Sequence, residues 1–260
     1  MSELANKVIL ITGATSGIGR ATALHFSALG AKVVAASRTP SAGVKLVAEL
    51  TSKGAQARFI ATDVTNKEQV RNMVNYAVSE FGRLDFAFNN AGIFAPEPRL
   101  HEHEDETWER VVSSNLKSIY TCMKYEIDAM LSLSNDDTQS RVIVNNASIV
   151  GHRGSSASGV AYTAAKHGVI GLTRQVAVDY ANDNIRVNAV SPGPTLTAAT
   201  KSRLDAPQEE VNARLAALNP TGKLVDVEHI AKTVAFLCSP AAQMINGHDI
   251  PLDGGQLAKL

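Results

Sequence analysis

Short, continuously apolar runs punctuate this 260-residue chain, and a longer stretch of helical periodicity follows each of them. The runs are KVILIT (7–12), KVVAAS (32–37), ARFIAT (57–62), LDFAFNN (84–90), RVIVNNAS (141–148) and IRVNAVS (185–191). Strands with one face in water alternate apolar and polar residues; strands covered on both faces read as unbroken apolar runs. Helical patterns fill the intervals, at 17–29, 39–53, 66–81, 105–133, 158–182 and 226–238. Boundary chemistry agrees: Thr39-Pro40 predicts an N-cap and a first-turn proline, Gly30 and Gly54 stand where helices should stop, and Asn66 predicts another cap. Strict alternation of strand and helix requires right-handed crossovers, hence parallel pairing with helices on both sides. The expected fold is α/β, one doubly wound parallel sheet in a single domain spanning 1–260.

Composition narrows the partners. Lys and Arg number 25 and Asp and Glu 25, so no charge imbalance favours nucleic acid or an anionic membrane. Cys122 and Cys238 stand far apart without metal-ligand spacing, and free thiols suit a reducing, cytoplasmic compartment. The first apolar run, Val8 to Ile11, is too short for a secretory leader, and no stretch reaches transmembrane length. Ala258-Lys259-Leu260 resembles a peroxisomal address, which keeps that compartment open for a eukaryotic source. The run HEHEDE (101–106) reads as a charged loop before a helix, so no metal is expected, and Trp108 is expected to anchor that helix.

Directly after the first run comes TGATSGIGRATA, with glycines at 13, 17 and 19. Between a strand and a helix, such glycines allow a tight turn, a close approach of backbone to a pyrophosphate, and packing of helix on strand. The helix N-terminus then offers N–H groups to the phosphates. Dinucleotide-binding turns of this kind place an acid about 20 residues further on, against the adenosine ribose. Here that place holds Ser37-Arg38. A guanidinium pairs with a 2′-phosphate and a serine hydroxyl adds a donor, so the pair predicts NADP(H) over NAD(H). Arg20 could assist from the helix or face solvent.

Tyr162 and Lys166 are four residues apart and share a helix face. An ammonium beside a phenol favours the phenolate and should bring the tyrosine pKa toward neutrality, where proton transfer works best. Tyr120 and Lys124 have the same spacing, but only Tyr162 follows a residue, Ser148, that ends a strand. Strand ends are where doubly wound sheets hold ligands.

Taken together, TGATSGIG, NNAG (89–92), Asn115, Ser148, YTAAK (162–166), PGPTLT (192–197) and INGHDIPLDGG (245–255) resemble the short-chain dehydrogenase/reductase family over nearly the whole chain. The resemblance implies hydride transfer, without a metal, between the nicotinamide and a carbonyl or secondary alcohol. It assigns the substrate oxygen to Ser148, proton transfer to Tyr162, the nicotinamide ribose to Lys166, and a water link from Lys166 to solvent to Asn115. It lines the cofactor with Gly13, Ser16, Gly17, Ile18, Gly19, Ser37, Arg38, Asp63, Val64, Asn90, Ala91 and Gly92. Tyr162, Lys166, Pro192, Gly193, Thr195 and Thr197 complete that lining, and Asn89 would bridge strands. Ala147 and Asn246 depart from common family residues without threatening activity.

Substrate selection falls to Phe94 and Ala95, to Ile149–Gly154, and to a segment at about 194–220 that is either a lid or a packed helix pair. His152 and Arg153 read as exposed loop residues. In relatives, helices like those at 105–133 and 158–182 pack together, so a homodimer or homotetramer is expected. A non-catalytic NADP(H)-binding sensor or scaffold, and epimerisation or dehydration on the same fold, are the alternatives.

Overall fold

The computed structural model describes residues 2–94, 97–132, 140–156, 158–197, 207, 209–210, 213, 217 and 219–259. Seven parallel strands form one sheet in the order β3-β2-β1-β4-β5-β6-β7. They are β1 (Val8–Thr12), β2 (Lys32–Ser37), β3 (Ala57–Ala61), β4 (Phe86–Asn89), β5 (Arg141–Asn146), β6 (Ile185–Pro192) and β7 (Asp249–Leu252). The helices that cover it are α1 (Gly17–Ala28), α2 (Pro40–Ser52), α3 (Lys67–Phe81), α4 (Asp105–Val112), α5 (Ser118–Ser132), α6 (Val160–Asp179) and α7 (Val227–Cys238).

Period-two geometry explains why the strands carry no polar face. Ile9, Ile11, Val33, Ala35, Phe86, Phe88, Val142 and Val144 point into one core, against Phe26 of α1, Leu46 of α2 and Ile230 of α7. Their chain neighbours Val8, Leu10, Val34, Ala36, Ala87 and Ile143 point into the other, against α3, α5 and α6. Each fully buried Phe or Leu contributes roughly 1.5–3 kcal/mol, which is why apolar residues fill the middle of the central strands. Strand order reverses between β1 and β4, and this switch point opens a crevice at the C-terminal strand ends. Thr12, Ser37, Asn89, Asn146 and Pro192 end their strands along that crevice.

Local signals meet mixed outcomes. Asn66 caps α3 by accepting from the amides of Glu68 and Gln69, as its side chain predicts. Gly30 and Gly54 stand just past α1 and α2 with φ of +82° and +83°. Thr39 makes no side-chain cap, so the fixed φ of Pro40 alone favours the start of α2. The helix expected at 105–133 is interrupted by one π-helical turn, Ser113–Lys117, centred on Asn115. Trp108, expected to anchor the helix, lies on α4 and is 38% exposed.

His152 is not a free loop residue: its Nε2 pairs with Asp249 at the start of β7, and Asp249 also accepts from Ser191 Oγ at 2.9 Å. Among the described residues no helix is long and apolar enough to cross a membrane, and no three His, Cys, Asp or Glu side chains converge as a metal site. Ala95, Ala198, Ala199, Leu204, Leu215, Leu218 and Leu260 lie outside the described residues, so the segment expected to act as lid or helix pair is not described as a whole.

Candidate active site

The glycine turn folds back on itself. Gly13 and Gly17 have φ of +64° and +50°, and a Cβ on Gly19 would fall 2.3 Å from the Gly13 carbonyl oxygen. Ser16 precedes α1 with extended backbone and makes no side-chain cap, which leaves the first-turn N–H groups facing the crevice. Ile18 packs on the core beneath. Arg20 is drawn away to an ion pair with Glu49 of α2. From the far side of the crevice Thr197 reaches over the turn, its Cγ2 3.2 Å from where a Cβ of Gly17 would sit. Thr195 Oγ1 donates to the Gly193 carbonyl at 2.8 Å, and Gly193 lies so close to Asp253 that a Cβ would come within 3.0 Å of its Cα.

One hydrogen-bond chain joins this turn to the centre of the sheet. Thr12 Oγ1 accepts from the amides of Asn90 and Ala91, each at 3.0 Å. The Asn90 amide donates to the carbonyls of Thr12 and Gly13, and its Oδ1 accepts from Asn146 Nδ2 at 3.0 Å. Asn146 in turn offers its main-chain carbonyl to Lys166 Nζ at 2.7 Å. Asn89 bridges β4 and β5, donating to Asn145 Oδ1 at 3.2 Å and to the buried Glu126 carboxyl at 2.9 Å. Burial pushes that carboxyl up to about 7.

At the tip of β2 the Ser37 hydroxyl is buried and has no hydrogen-bond partner among the described residues. Arg38 beside it is exposed. Across from them Asp63 accepts from the Thr65 amide and hydroxyl. That amide, then the hydroxyl and the Arg38 guanidinium, hold its carboxyl below the usual range against the opposing effect of burial. Val64 packs against the core under α3. An orphaned hydroxyl, a nearby guanidinium, a tight glycine turn and open helix N–H groups fit a dinucleotide.

Ser148 lies just past β5, and its hydroxyl is hydrogen-bonded to the Tyr162 phenol, which projects from the first turn of α6. Lys166, one turn on, places Nζ 5.5 Å from the Tyr162 ring centroid. Burial outweighs the Ser148 bond and pushes the phenol up to about 12. This reverses the expected lowering by Lys166. The amine is itself buried and pushed down to about 8, and it is aimed at the Asn146 carbonyl.

Asn115 is buried in the π turn, where its Nδ2 donates to the Val111 carbonyl at 2.9 Å and its Oδ1 accepts from the Ile93 amide at 3.2 Å. A Cβ on Gly92 would lie 2.5 Å from that Oδ1, so a side chain there would push the Asn115 amide aside. Lys166 Nζ donates to the Asn146 carbonyl rather than to this side chain. Tyr120, by contrast, is 52% exposed on the outer face of α5. Three contributors carry no sequence signal of their own: the Asn146 carbonyl, the Thr12 hydroxyl and Glu97, which accepts from the Tyr162 amide. Phe94, named as a pocket residue, meets the Tyr162 ring edge-on at 5.1 Å.

Lys166 makes stability pH-dependent in a direction that can be worked out. Its folded pKa, about 8, lies below the ordinary 10.5, so the unfolded chain binds more protons than the native one between those values. Folded-state stability therefore rises with pH across that window. In the cofactor-free protein, the stability of wild type minus that of Lys166→Met should rise by about 2 kcal/mol from pH 8 to pH 10 in denaturant titrations. A difference that stays flat would contradict the burial of Nζ.

Comparison with known proteins agrees with this architecture. A family model described as "Enoyl-(Acyl carrier protein) reductase" matches residues 13–256. The chain is 40% identical over 255 residues to cyclohexanol dehydrogenase of Acinetobacter sp. (strain SE19), covering 98% of this chain and 96% of that one. It is 39% identical over 254 residues to cis-4-hydroxycyclohexanecarboxylate dehydrogenase of Sinomonas cyclohexanicum, covering 98% of each. The crystal structure of levodione reductase superposes with a TM-score of 0.91 at 33% identity, covering 99% of this chain and all of that one. Matches of this length, on a sheet of this order with Ser148 just past β5 and Tyr162 and Lys166 beside it on α6, show that the chain belongs to the short-chain dehydrogenase/reductase family.

Proposed function

We propose that this protein is an NADP(H)-dependent oxidoreductase that interconverts a secondary alcohol and a ketone carried on a small ring. The observation that carries the proposal is the half-buried Tyr162, its phenol hydrogen-bonded to Ser148 with Lys166 one turn away. The nicotinamide, when bound, supplies or accepts the hydride. Ser148 binds the substrate oxygen. Tyr162, neutral in the free protein, holds the proton that this oxygen takes up in reduction and accepts it back in oxidation. Lys166 holds the nicotinamide ribose, and its charge favours the phenolate once that proton has left. Asn115, buried in the π turn, would serve the water link from Lys166 to solvent.

Preference for NADP(H) over NAD(H) is supported by the unpartnered Ser37 hydroxyl beside Arg38. Asp63 and Val64 would border the adenine, and Asn90, Ala91 and Gly92 the adenosine ribose. Pro192, Gly193, Thr195 and Thr197 would hold the carboxamide. A ring substrate is supported by the two relatives named for cyclohexanol and for a hydroxycyclohexanecarboxylate, and by the flat apolar wall that Phe94 sets beside Tyr162. Trp108, Tyr120, Leu131 and Val178 are exposed on α4, α5 and α6, which supports assembly of identical subunits through those helices. Two buried free thiols, Cys122 and Cys238, support a cytoplasmic setting.

The test follows NADPH and NADH oxidation over a panel of ring ketones, open-chain ketones, aldehydes, quinones and sugars. Ring ketones should be reduced with NADPH, and with NADH at least tenfold less efficiently. NADPH binding without turnover of any compound would instead favour the non-catalytic sensor or scaffold.

A further inference from the structure

Helix α6 begins at a residue that cannot cap it. Gly159 has extended backbone, with φ of −85° and ψ of 171°, and no side chain to offer. The amides of Ala161 and Tyr162 fall in the first turn, where no intrahelical acceptor exists. Both are satisfied from 64 residues away or more. Glu97 Oε2 accepts from Ala161 at 2.8 Å, and Glu97 Oε1 accepts from Tyr162 at 3.1 Å. The Glu97 side chain is fully buried, and His103, 7% exposed, brings Nε2 within 3.0 Å of Oε2. A Cβ on Gly159 would lie 2.0 Å from Glu97 Cδ, so a side chain there and this carboxylate compete for one place. The segment that carries Glu97 is tethered again upstream, by the Ile93 amide on Asn115 and by the Phe94 ring on Tyr162.

We propose that Glu97 is a positioning residue. Its carboxylate replaces the missing N-cap of α6 and fixes the backbone from which Tyr162 reaches Ser148. Burying a carboxylate is costly unless it is hydrogen-bonded, and two amides at the positive end of a 20-residue helix supply those bonds. The amide that one oxygen holds belongs to Tyr162 itself, so any slack at the cap passes directly to the phenol. The effect on turnover rests on the function proposed above; the cap does not.

The experiment compares Glu97→Ala, Gly159→Asp and the double variant. Glu97→Ala should lower kcat by about tenfold or more, since displacements near 1 Å are felt on that scale. NADPH affinity, read by fluorescence titration, should stay within about twofold, because the polar partners of Glu97 among the described residues, Ala161, Tyr162 and His103, lie away from the glycine turn. Hydrogen exchange at the Ala161 and Tyr162 amides should lose its protection. An Asp at position 159 is itself an N-cap residue, and it fits once the carboxylate at 97 is gone. The double variant should therefore regain amide protection and recover kcat to within about threefold of wild type, whereas Gly159→Asp alone should be impaired. An unchanged kcat in Glu97→Ala, or recovered protection without recovered kcat, would overturn the positioning role. Retained protection in Glu97→Ala would overturn the cap. If wild type reduced no carbonyl at all, exchange at the two amides would still decide the cap, and the failure would belong to the proposed function.

Discussion

Tyr162→Phe is expected to lower kcat/KM for carbonyl reduction by about a thousandfold, within the range that positioned general acids contribute. The variant keeps the ring that packs edge-on against Phe94 and removes only the oxygen bonded to Ser148. Folding and NADPH affinity should therefore change little, which separates proton transfer from binding. The size of the effect follows from the site: burial holds the free phenol near 12, so it stays protonated at neutral pH and is ready to donate. The chain also supplies a control. Tyr120 and Lys124 repeat the spacing on an exposed face, and Tyr120→Phe should leave steady-state rates unchanged. Loss of activity in both variants would mean that the assay reads stability rather than chemistry.

Arg38→Ala should weaken NADPH by at least tenfold while leaving NADH within about twofold, measured by fluorescence titration. Hydrogen bonds to charged groups contribute roughly 1.5–3 kcal/mol each, and a 2′-phosphate is the one part of NADPH that NADH lacks. Asp63 also faces Arg38, and losing the guanidinium leaves that carboxylate to repel the phosphate. Both effects act in the same direction. Equal weakening of the two cofactors would assign Arg38 to the adenine instead, and the cofactor preference would fail with it.

The sheet was legible because burial on both faces writes a distinctive pattern: six unbroken apolar runs, each followed by a helical stretch. The seventh strand, Asp249–Leu252, has no such run and was expected only through the family resemblance around INGHDIPLDGG. The glycine turn was legible because its backbone demands a residue type, as the positive φ of Gly13 and Gly17 shows. Spacing brought Tyr162 and Lys166 onto one helix face, and a strand end brought Ser148 near them.

What stayed hidden depends on contacts between distant parts of the chain. Glu97 is a single acid in an irregular segment, and its partners, Ala161 and Tyr162, are main-chain amides that any sequence would offer. Lys166 is held by the carbonyl of Asn146, which has no sequence identity to read. The expected fall in the Tyr162 pKa reversed because spacing says nothing about desolvation: the same burial that brings Lys166 close also strips water from both groups. His152 looked like an exposed loop residue until β7 brought Asp249 beside it.

Central to the proposed function is direct passage of a nicotinamide hydride to a ring carbonyl at the Ser148–Tyr162 site. The most direct measurement runs the ketone panel with NADPH deuterated at C4 and analyses the alcohol product by mass spectrometry. Wild type should deliver one deuterium to the carbinol carbon of a ring ketone, and Tyr162→Phe should deliver almost none in the same time. An alcohol without deuterium from cofactor labelled on either face, or a labelled product formed equally fast by Tyr162→Phe, would contradict it.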